Sequence, residues 1–123
     1  MGKQKAEVEL QAVSDRALQT GRNFYLTLRC VSSHIEFVRG ATANINFAQE
    51  KLNKCSPQNG SSKVSALKKN KAKAELRDAI RQKVKFIKEL KRLIVEADHT
   101  LDASMAAFIQ LEAAVTSKNG IAD

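Results

Sequence analysis

Apolar residues recur along the first half of the chain at a spacing that belongs to a helix packed on one side. Steps of seven from Leu10 reach Ala17, Phe24, Val31, Val38, Ile45 and Leu52, every one apolar. Val13, Gly21, Leu28, Ile35, Ala41 and Ala48 interleave with them, and this alternating three–four spacing predicts a helical seam. Gly21 and Gly40 each cost about 1 kcal/mol against alanine inside a helix. The register runs through both without a slip, so the pattern predicts one long first arm over about 6–54.

The second half repeats the period without repeating the sequence. Steps of seven from Ile80 reach Ile87, Ile94, Leu101, Phe108 and Val115, while Leu76, Val84, Leu90, Ala97, Met105 and Leu111 alternate with them. The predicted second arm covers about 65–117. Asp98-His99-Thr100 is a weaker break signal, because Thr100 suits a helix cap, but the phase continues through it. Lys118 and Gly120 are stop signals. Between the arms lies CSPQNGSS, residues 55–62. There Pro57 cannot continue a helix and Asn59-Gly60 favours a turn.

The fold expected from these patterns is all-α, a long antiparallel helical hairpin forming a single domain over residues 1–123. Tyr25, Phe37 and Phe47 flank the first seam, and Phe86, Leu93 and Ile109 flank the second. Faces this broad suit packing against two or more helices. A hairpin of about 75 Å, at 1.5 Å per residue, cannot bury them by itself. Two hairpins are therefore expected to pair as a homodimer in a four-helix bundle. The competing arrangement breaks the arms at Gly21, Gly40 and near His99 and folds them into a compact monomeric bundle.

Composition agrees with helices. Aromatic residues make up 5% of the chain, with no Trp and one Tyr, and there are five Gly and one Pro. Sheets need more turn-forming residues than that. The chain has no apolar run long enough to span a membrane, and its first residues lack the apolar core of a secretory signal. Cys30 and Cys55 are the two cysteines, and ~37 Å of helix would separate them, too far to bridge. A reducing compartment is expected, cytoplasmic or nuclear, with no secretion.

Charge changes the picture most. The net charge is +8, yet Lys63–Arg92 holds 12 of the 21 basic residues and only three acids, Glu75, Asp78 and Glu89. That stretch carries +9 and the remainder −1. Within it, Arg77, Arg81, Lys85, Lys88 and Arg92 fall at spacings of four, four, three and four. At 100° per residue they occupy one helical band about 80° wide and ~22 Å long, facing away from Leu76 and Leu90. Lys68, Lys69, Lys71 and Lys73 extend the positive region toward the turn, joined by Lys51 and Lys54. Asp78 and Glu89 are expected at the edge of the band. After Leu93 the sign inverts, with five acids against Lys118.

A row of cations at turn spacing suits phosphates along one strand, with a salt slope of about −0.9 per contact on duplex DNA. The row holds almost no Asn or Gln and no interleaved aromatics, which argues against base reading or stacking. The expected function is non-enzymatic binding of a duplex RNA or DNA backbone without sequence specificity. The assigned residues are Arg77, Arg81, Lys85, Lys88 and Arg92, assisted by Lys68, Lys69, Lys71 and Lys73. The alternative is a coiled-coil adaptor or assembly protein that takes a partner helix on its apolar face, its lysines merely solvated. Attachment to an anionic membrane surface is a minor third reading.

No catalytic constellation is present. His34 follows Cys30 by four residues, but two ligands do not make a zinc site, and burial of both in the seam is expected. His99 between Asp98 and Asp102 lacks a second cluster, and no phosphate loop or nucleophile motif occurs. No enzyme activity, metal or cofactor is expected.

Overall fold

In the computed structural model α1 runs Gly2–Lys54 and α2 runs Lys63–Ala122. The structure describes the backbone of residues 2–55 and 63–122, and the side chains of residues 4–55 and 65–117. The two helices pack antiparallel, as the hairpin requires. At the end of α1 the Cys55 N–H donates to the Leu52 carbonyl at 3.0 Å. The turn signals at Pro57 and Asn59-Gly60 lie outside the described residues.

Neither glycine breaks α1, and Asp98-His99-Thr100 does not break α2. This removes the interrupted, compact alternative. Among the described residues no glycine has a positive φ. A Cβ added at Gly40 would meet nothing within 4 Å, and one at Gly21 would stand 3.9 Å from Ser104 Oγ. Both positions behave as ordinary helix. The stop expected at Lys118–Gly120 is also not taken, since α2 continues to Ala122.

The contacts gather into two units, one of residues 1–31 with 93–123 and one of residues 32–92. In the first unit Thr27, Leu93, Ala97 and Ala107 are buried, with Leu10, Val13, Ala17, Phe24 and Val31 half-buried on the α1 side. In the second unit Ala41, Ala48 and Ala72 are buried, with Val38, Ile45, Leu52, Leu76, Ala79, Phe86 and Leu90 half-buried. Phe37 and Phe86 meet there with ring centroids 5.5 Å apart, and His34 stands edge-on to Phe37 at 5.1 Å. The most buried apolar side chains are alanines and one leucine.

The seam of α1 follows the Leu10 row, but its mid-helix partners are not the expected ones. Leu28 and Ile35 are exposed, and Thr20, Thr27 and His34 take the seam instead. A threonine is tolerated there because its hydroxyl is satisfied by its own helix. Thr27 Oγ1 donates to the Asn23 carbonyl at 2.9 Å, and Thr20 Oγ1 donates to the Arg16 carbonyl at 2.9 Å. Thr100 on α2 does the same toward Ala97 at 3.0 Å.

In α2 the expected row is displaced by one residue. Ile80, Ile94, Leu101, Phe108 and Val115 are exposed, and Ile87 is half-buried. The row turned toward α1 is Ala79, Phe86, Leu93, Thr100, Ala107 and Ala114. One residue is a rotation of about 100°, enough to carry a whole side of the helix from the seam to its flank. Both rows repeat every seven residues. The one with smaller side chains faces the neighbouring helix.

Candidate nucleic-acid interface

The charged part of α2 belongs to the second unit. Its lysines, arginines, alanines and leucines at 68–92 are good helix formers, and the stretch contains no glycine or proline. All nine assigned cations are exposed: Lys68, Lys69, Lys71, Lys73, Arg77, Arg81, Lys85, Lys88 and Arg92. Lys83, four residues before Ile87, differs from them. It is half-buried at a seam position.

The structure divides the row. Arg81, Lys85, Lys88 and Arg92 line one open depression of about 650 Å³, together with His34, Val84, Phe86 and Glu89. Arg77 does not line it. It sits at the edge of the band that borders Ile80 and Val84, both exposed apolar residues. Four cations and a histidine thus converge around one acid. His34 was expected in the seam and is half-buried there, whereas Cys30, expected to be buried with it, is exposed.

The acids take part in the row and do not simply flank it. Arg92 Nε donates to Glu89 Oε1 at 3.0 Å, and Arg81 Nη1 stands 3.9 Å from Asp78 Oδ1. The Arg92 hydrogen bond holds the Glu89 carboxyl below the ordinary carboxylate range, and the charges of Arg92 and His34 act in the same direction. Among the described residues no ion pair engages Arg77, Lys85 or Lys88. Exposed pairs of this kind contribute about 0–1 kcal/mol each, so an incoming phosphate can displace them. Lys51, expected to reinforce the row, is held by Glu75 at 3.0 Å.

Other chemistry is sparse. Among the described residues no three His, Cys, Asp or Glu side chains gather as metal ligands. Among them, too, no helix is long and apolar enough to cross a membrane. Neither Cys30 nor Cys55 is in a disulfide. Comparison with protein-family models, curated proteins and solved structures gives no match, so the functional reading stands on this geometry and charge alone.

Proposed function

We propose that this chain is a non-enzymatic, homodimeric protein of the cytoplasm or nucleus that binds the backbone of duplex RNA or DNA without reading sequence. The observation that carries this reading is the convergence of Arg81, Lys85, Lys88 and Arg92 around one depression that contains a single acid. The three steps between these cations, four, three and four residues, advance about 16 Å along the helix axis. Duplex DNA presents one charge per ~1.7 Å of axis, so phosphates are available along that whole reach. Lys68, Lys69, Lys71 and Lys73 add exposed charge toward the turn. Arg77 stands at the margin of this surface, outside the depression.

The test is a salt titration of binding to a duplex of about 20 base pairs, prepared once as DNA and once as RNA. Backbone neutralisation by four to eight cations predicts a log–log slope of about −4 to −8. Reversing Arg81 and Lys88 together (R81E with K88E) is expected to abolish binding while helicity is retained. Unchanged binding in that variant removes the site assignment. Binding that disappears by physiological salt removes the nucleic-acid reading itself.

The second reading is a helical adaptor or assembly protein, favoured by exposed apolar side chains on both helices. Phe47, Leu67, Phe108 and Ile109 are each at least 60% exposed. It predicts that duplex binds only at low salt and that a partner helix is taken up on the apolar surface.

A further inference from the structure

The row displaced from the seam needs an occupant. This row on α2 is apolar at every seventh residue: Ile80, Ile94, Leu101 and Phe108 are between 36% and 60% exposed, and Ile87 is half-buried. The opposite flank of the seam, at Glu75, Gln82, Glu89 and Glu96, is polar at the same interval.

We propose that the apolar flank is covered by a second copy of the chain, whose α2 runs antiparallel. The interface places the 80–87 part of one copy on the 101–108 part of the other. This deepens the dimeric part of the functional reading and does not depend on nucleic-acid binding.

The occupant and its direction follow from the charges. Beside the apolar row, the next line of residues at the same interval reads Arg77, Val84, Lys91, Asp98, Met105, Glu112. Read backwards against itself, every cation meets an acid and the two apolar residues meet each other. Arg77 faces Glu112 of the second copy, Lys91 faces Asp98, and Val84 faces Met105. The apolar row reads backwards equally well, with Ile80 on Phe108, Ile87 on Leu101, and Ile94 on its own copy. A two-fold axis produces this kind of self-complementarity, in which each contact occurs twice. In a parallel pairing the two-fold axis carries this line to the opposite side of the partner's apolar row, so it cannot meet itself, and the match of cations to acids belongs to the antiparallel arrangement. One step further the antiparallel match ends.

Lys91 and Asp98 are exposed, so their charges can be changed without disturbing the seam. The experiment measures the mass of the full chain by sedimentation over a concentration series, for wild type, Lys91→Glu, Asp98→Lys, and an equimolar mixture of the two variants. Wild type is expected to be a dimer. Each single variant sets like charges together twice per dimer and is expected to weaken association roughly tenfold or more. In the mixture, the glutamate placed at position 91 of the first variant faces the lysine placed at position 98 of the second. The unchanged Asp98 of the first variant faces the unchanged Lys91 of the second, so association is expected to return to wild-type strength. A dimer that neither variant weakens, or that the mixture fails to restore, overturns the antiparallel register while leaving dimerisation standing. A monomer at every concentration overturns both the register and the dimeric part of the proposed function. Duplex binding, read on Arg81 and Lys88, is a separate measurement in every case.

Discussion

Lys51 Nζ lies 3.0 Å from Glu75 Oε2, joining α1 to α2 within the second unit. The remaining ion pairs recorded among the described residues are i, i+3 pairs within one helix. Both side chains are part-exposed, at 50% and 38%, so solvent screens the attraction. Its value lies in register, because it opposes one turn of α1 with one turn of α2. A double-mutant cycle with Lys51→Ala and Glu75→Ala is expected to give a coupling of about 0.5 kcal/mol, falling with added salt. Zero coupling at low salt would mean that the helices do not hold this register in solution.

The seam's phase is tested by a pair of substitutions two residues apart. Ala107 is buried at 2% exposure and Ile109 is 61% exposed. Ala107→Leu forces extra methylenes against α1 and is expected to destabilise the fold by about 1–3 kcal/mol. Ile109→Lys points away from the seam and is expected to stay within about 0.5 kcal/mol of wild type. Urea unfolding distinguishes this from the row read off the sequence, which leaves Ala107 outside the seam.

Gly40 offers the opposite kind of change. Its position is helical, its φ is ordinary, and an added Cβ meets nothing within 4 Å. Gly40→Ala is therefore expected to stabilise the protein by about 0.5–1 kcal/mol, through helix propensity and a less flexible unfolded chain. A loss of stability by thermal unfolding would show that α1 bends or opens at this residue.

Glu89 makes a contact whose strength depends on pH. The Arg92 hydrogen bond lowers its carboxyl pKa relative to an unpaired glutamate. A group lowered in this way contributes stability above its unfolded pKa, and that contribution is lost as pH falls through the lowered folded value. An NMR titration should find the Glu89 carboxyl protonating at lower pH than an unpaired glutamate does. Arg92→Gln should move its midpoint upward, toward the ordinary carboxylate range. A midpoint that stays in place in that variant would assign the lowering to some other neighbour.

Much of the fold was legible before any coordinates. The Leu10 row predicted the α1 seam, and unbroken phase at Gly21 and Gly40 correctly outweighed their low helix propensity. The failures were specific. Thr20 and Thr27 look polar in a sequence, yet their hydroxyls bond to their own helix and leave a methyl for the seam. In α2 two adjacent rows share one period, and bulk was the wrong guide to which of them faces α1. The cationic band was legible from spacing alone, whereas the ion pairs of Asp78 and Glu89 and the separation of Arg77 from the other four required side-chain positions.

The sequence by itself determined that the chain is helical, that its helices are long, and that the positive charge concentrates on one stretch of α2. These follow from local propensity and from periods that any helix of this sequence must display. Only the tertiary structure decided which of two neighbouring rows meets α1. Periodicity defines the spacing of a stripe, but the direction in which it faces is set by what packs against it. Alanines and threonines at the seam let the two helices meet and leave Ile80, Leu101 and Phe108 on the outside.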